Sequence, residues 1–97
     1  MKAVFISYNQ ALTDRVHAIL DRENIRGYSK WDTTYGRGSY TGEPHMGSHT
    51  WPAMNSSILA IIDDTMVAPL LEQLRNLDGE TERQGLRAFV WNVEGVL

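Results

Sequence analysis

The chain has 97 residues, 42% apolar and 22% charged, with a net charge of −3 and no cysteine. That length fits one domain with a modest core, and the negative balance argues against sequence-independent nucleic-acid binding, which needs excess cations. Without cysteine there are no disulfides, thiolate metal sites or cysteine nucleophiles. No apolar run approaches the roughly 18–20 residues of a membrane span, and the apolar part of MKAVFISYNQ is too short for a signal peptide, so a cytoplasmic protein is the simplest expectation.

KAVFISY, from Lys2 to Tyr8, is a β-rich apolar run and reads as the first strand. In ALTDRVHAILDREN the residues Leu12, Val16, Ile19 and Leu20, joined by Ala11, recur at helical spacing, with Asn9 placed as a cap. A tight turn at Asn24 leads into IRGYSKWDTTY, Ile25 to Tyr35, as the second strand. SSILAIID, Ser56 to Asp63, is a short apolar third strand. Asp63 or Asp64 then caps TMVAPLLEQLRNLD, whose Val67, Leu70, Leu71 and Leu74 form one stripe. Pro69 fits that helix if it starts near Val67, where a first-turn proline has no hydrogen bond to lose. GETERQG turns the chain, and LRAFVWNV, Leu86 to Val93, is the last strand.

The expected order is therefore βαββαβ. It implies an α+β, ferredoxin-like sandwich in which a four-stranded antiparallel sheet carries both helices on one face. One domain spans residues 1–97, with a long flexible loop over residues 35–55. Two helices cover only one side of a sheet, yet Leu86, Ala88 and Val90 alternate with Phe89, Trp91 and Val93, so both faces of strand four are apolar. Strand three repeats this, with Ile58, Ala60 and Ile62 against Leu59 and Ile61. A sheet with one wet face alternates apolar and polar residues. Identical copies are the expected cover for the second face.

The connection GRGSYTGEPHMGSHTWPAMNSS, Gly36 to Ser57, has four glycines, two prolines and two histidines without a clear period. Loops of this length in compact domains generally bind something or are disordered. His45 and His49 stand four apart around Met46, a set suited to zinc, copper or nickel if Glu43, His17 or a neighbouring subunit completes it. Solvated histidines are the bland reading. Gly36, Arg37 and Gly38 form a second candidate, because converging backbone N–H groups and a guanidinium suit an anion; a turn requiring positive φ is its alternative. Trp51, followed by Pro52, is either an anchor for a partner protein or a pin that holds the loop. Trp31 and Trp91 read as packing residues. No Ser/His/Asp elbow, HExxH or complete Walker loop is present, so catalysis is not expected.

The layout resembles the P-II signalling superfamily. NIRGYSKWD is similar to that family's Ile-x-Gly-x-Thr strand at Ile25, Gly27 and Ser29, and YGRG to its Phe-Gly-Arg through Tyr35, Gly36 and Arg37. GLRAFVWNVEGV is similar to its closing Gly-Lys-Ile-Phe-Val strand at Gly85, Phe89 and Val90, with Arg87 near the family's lysine. The resemblance implies a homotrimer formed through the sheets, a long mobile loop that docks a target protein, and a small-molecule effector between subunits. On the matching positions it implies ligand binding by Gly27, Ser29, Gly36, Arg37, Gly38, Gly85 and Arg87, with Arg26 and Lys30 near the same cleft. The departures are specific. DGETERQGL keeps only isolated glycines of the family's phosphate-binding turn, the chain ends VEGVL without an arginine-bearing tail, and Tyr40 lies too early to be the modified tyrosine. ATP binding and 2-oxoglutarate sensing therefore do not carry over.

The expected function is a non-enzymatic, trimeric regulator that binds an anion or nucleotide and signals through its loop. The alternatives are a metal-responsive trimer using His45 and His49, and a small ferredoxin-like enzyme with an inter-subunit active site.

Overall fold

A computed structural model describes residues 1–36, 54–81 and 84–97. Strands β1 (Lys2–Asn9), β2 (Tyr28–Thr34), β3 (Asn55–Ile62) and β4 (Arg87–Asn92) form one antiparallel sheet in the order β2-β3-β1-β4. Helix α1 (Thr13–Arg22) joins β1 to β2, and α2 (Asp64–Glu80) joins β3 to β4. This is the expected βαββαβ sandwich.

Helix α1 is preceded by a 3-10 turn over Gln10–Leu12, and it is this turn that Asn9 caps: its Oδ1 accepts from the Ala11 N–H at 2.9 Å. Leu12, Val16, Ile19 and Leu20 are buried as their spacing requires, whereas Ala11 is exposed. The helix stops at Asn24, which takes φ 58, a left-handed conformation that asparagine tolerates better than most residues. The Ile25 N–H then bonds back to the Leu20 carbonyl at 2.8 Å. This turn, followed by Gly27, delays β2 to Tyr28 rather than Ile25.

Helix α2 begins at Asp64, three residues before Val67. Asp63 occupies the N-cap position with extended backbone but makes no side-chain capping bond. Pro69 therefore sits inside the helix, where its missing N–H leaves the Thr65 carbonyl without the usual partner. Burial of Leu70, Leu74 and Leu77 against the sheet offsets that loss.

Registers fix which side chains share a face. Val4 lies opposite both Ala60 and Val90, and Ile6 opposite both Ile58 and Ala88. Together with Tyr8 and Ile62 these residues meet Leu12, Val16, Leu20, Leu70 and Leu74 in one core beneath the helices. The other face carries three rows: Trp91–Ala3–Ile61, Phe89–Phe5–Leu59–Ser29 and Arg87–Ser7–Ser57–Trp31. Its large apolar residues stay open, with Phe89 57% exposed, Trp91 49%, Trp31 47% and Ile61 41%. Trp31 and Trp91, read as packing residues, are thus only about half covered by the described residues.

Candidate functional site

Two crevices meet at Gly27, at the foot of the edge strand β2. One, of about 350 Å³, lies on the open sheet face and is lined by Gly27, Tyr28, Ser29, Leu59 and Ile61. The other, of about 360 Å³, continues past Gly27 and Ile61 to Asn24, Arg26, Asp63 and Met66. A Cβ added to Gly27 would meet nothing within 4 Å, so packing among the described residues does not require glycine there. An apolar floor of Leu59 and Ile61, a hydroxyl at Ser29 and a cation at Arg26 suit a flat, partly polar small molecule. Leu59 and Ile61 were legible only as the apolar second row of strand three. Their role as a floor depends on β2 lying beside β3.

Gly36 ends the described part of the loop root. It does not take positive φ, and a Cβ on it would meet only Asn55 Nδ2, at an ordinary 3.8 Å. A positive-φ turn is therefore not the reason for glycine at this position. Arg37, Gly38, His45, His49 and Trp51, with Tyr40 and Glu43, lie outside the described residues. Among the described residues no group of three or more His, Asp or Glu is placed to hold a metal. His17, the possible third ligand, stands on α1 with Nδ1 3.3 Å from the Tyr28 hydroxyl. Its Nε2 is buried without a partner among the described residues.

Arg87 opens β4, the opposite edge of the sheet, and Gly85 lies in the turn just before it. Three strand spacings separate them from Ser29, about 14 Å, so one chain does not assemble the expected set. Gly85 has φ 75 and is required as glycine at its turn. The Arg87 guanidinium donates to the Leu86 carbonyl at 2.7 Å and borders a crevice of about 200 Å³ shared with Arg75 and Asp78. Lys30 lies opposite Ile58, on the helix side of the sheet and so on the other face from Ser29, and its Nζ lies 3.5 Å from Asp32 Oδ1.

Beside Lys30, Tyr8 is wholly buried. Its hydroxyl lies near those of Ser56 and Thr13 but makes no hydrogen bond of ordinary geometry among the described residues. Burial pushes the phenol above the ordinary tyrosine range, opposed by the charge of Lys30 and the two neighbouring hydroxyls. A further groove of about 220 Å³ runs between α1 and α2. It is a tie between helices rather than a ligand site, because its arginines are engaged across it: Arg15 pairs with Glu80, and Arg22 Nη1 donates to Gln73 Oε1 at 2.7 Å.

No protein-family model matches the chain, and no curated protein matches it. Solved structures do. CPII, a nitrogen regulatory PII-like protein from Thiomonas intermedia K12, was solved bound to ADP, AMP and bicarbonate. It superposes with TM-score 0.77 at 22% identity, over 95% of this chain and 84% of that one. The apo form of CPII gives TM-score 0.73 at 21% identity, over 95% and 87%. A protein described as PII-like and signalling, from Thermus thermophilus, gives 0.65 at 23% identity, over 95% and 85%. At these identities the likeness is one of architecture: the chain has the fold of the PII-like proteins.

Proposed function

We propose that this chain is a non-enzymatic regulatory protein that assembles as a homotrimer through the open face of its sheet. It binds a small anion or nucleotide in clefts between copies. The observation that carries the reading is the pairing of an exposed apolar face with a candidate ligand set divided between the two sheet edges. Phe89, Trp91, Trp31 and Ile61 are 41–57% exposed, a patch of the kind that marks association. Gly27, Ser29 and Gly36 stand along β2 and Gly85 and Arg87 at the start of β4, so contact between the β2 edge of one copy and the β4 edge of the next completes the set.

The complexes of CPII with ADP, AMP and bicarbonate support an adenine nucleotide, or bicarbonate, as the ligand class to test first. The flat crevice over Leu59 and Ile61 accepts a heterocycle, and the cations Arg37 and Arg87 meet its charge. The connection between β2 and β3 carries the signal, with Trp51 as the anchor for a target protein. Ligand at its root shifts its population between conformations.

Thermal-shift measurements with ADP, AMP and bicarbonate test the ligand class. A ligand at a hundred times its dissociation constant stabilises by about 2.7 kcal/mol. The expected result is a rise with at least one of the three that Arg87→Ala reduces. No shift with any of them overturns the ligand assignment.

A further inference from the structure

We infer that Gln10 is the positioning residue of the loop root, gripping both ends of the connection that leaves β2 and returns to β3. The register between β2 and β3 breaks between Trp31 and Thr34, so Asp32 and Thr33 have no partners in β3. A break of this kind frees backbone groups from the ladder. Here side chains take up the Asp32 carbonyl: Gln10 Nε2 donates to it at 2.7 Å and Ser56 Oγ at 2.6 Å, filling both lone pairs. Gln10 Nε2 also lies 3.3 Å from Thr33 Oγ1. The backbone N–H of the same residue donates to the Met54 carbonyl at 2.8 Å.

One residue of the β1–α1 turn therefore fixes the last residues before the connection and the last residue of its return. Asn9 caps the turn that presents Gln10, and the Thr13 hydroxyl closes it by donating to the Gln10 carbonyl at 2.6 Å. Gln10 has the reach and the amide donor this needs. Asparagine is too short, and glutamate at neutral pH has only acceptors to offer a carbonyl. Gln10 does not touch the crevice at Gly27. It acts on the ligand set by fixing where β2 ends and hence where Gly36 stands, a consequence that rests on the function proposed above.

Hydrogen exchange followed by mass spectrometry tests the grip itself on the full chain without ligand. In Gln10→Ala, residues 32–36 are expected to exchange about tenfold faster, the effect of losing two side-chain bonds of ordinary strength, while the backbone tie to Met54 remains. In Gln10→Glu the same segment exchanges fast at neutral pH. It regains protection relative to Gln10→Ala below about pH 4, where the carboxyl is protonated and donates again. That recovery within one protein also covers the case in which the alanine variant folds poorly. Exchange in Gln10→Ala within about twofold of wild type, or a glutamate variant that matches the alanine variant at both pH values, overturns the inference. ADP binding is measured separately on wild type and Gln10→Ala. A wild type that ignores ADP defeats the ligand reading and leaves the exchange result standing.

Discussion

Phe89→Lys places a cation on the open sheet face, along its β4 edge. Phe89 is 57% exposed, and a phenylalanine offers about 200 Å² to bury, so roughly 110 Å² awaits cover. At about 25 cal/mol per Å² its burial by another copy is worth about 3 kcal/mol, roughly a hundredfold in association constant for each sealed face. Lysine forfeits that and adds the cost of desolvating an unpaired ammonium. The same change costs the single chain little, since the ring sits opposite Phe5 but outside the core beneath the helices. Sedimentation velocity at micromolar concentration is the assay, with circular dichroism to verify folding and Ala18→Lys, on the exposed side of α1, as control. Wild type and control are expected to sediment as an assembly and Phe89→Lys as a folded monomer. A monomeric wild type, or a Phe89→Lys variant that assembles normally, refutes the reasoning.

Three further predictions concern the single chain. Leu70 is fully buried in the core, so Leu70→Ala should cost about 2–5 kcal/mol in urea unfolding; a loss well under 1 kcal/mol would mean that α2 does not rest on the sheet as described. Gly85→Ala forces an L-residue into φ 75 and should cost about 1–2 kcal/mol in the same assay, with no cost if that turn is unstrained. The raised pKa of Tyr8 follows first from burial, so the stability tied to its neutral hydroxyl is complete below about pH 10 and is lost as pH rises through the raised value. Absorbance at 295 nm, wild type minus Tyr8→Phe, should show that ionisation above the ordinary range and coincident with alkaline unfolding; ionisation at the ordinary value with the fold intact would contradict the burial.

Element order and the doubly apolar sheet were legible because both rest on short-range periodicity. Val16, Ile19 and Leu20 announce a helix face, and alternation along Ile58–Ile62 and Leu86–Val93 announces two greasy strand faces. Boundaries were less legible where local chemistry competes. Pro69 suggested a later start for α2, but packing of Leu70, Leu74 and Leu77 sustains a helix that reaches back to Asp64. The turn at Asn24 was expected, but its hold on Ile25 delays β2. The proposed site is legible only in pieces. Gly27, Ser29, Gly85 and Arg87 stand out as residue types, but the sequence does not display a sheet order that sends two to each edge. Lys30 and Ser29 are neighbours in sequence, but the period of two along a strand turns them to opposite faces of the sheet. Gln10 gave no signal: its partners lie more than twenty positions away, across a register break that no local pattern announces.

The division of the ligand set between β2 and β4 is tested most directly by complementation. Ser29→Trp obstructs the β2 side of a cleft and Arg87→Ala disables the β4 side, so each variant alone should lose ADP binding in calorimetry. When the two are unfolded together and refolded as mixed assemblies, roughly a quarter of the clefts should combine two intact sides and regain ADP binding. No recovery in mixtures shown to contain both chains would place the site within single subunits and contradict the account.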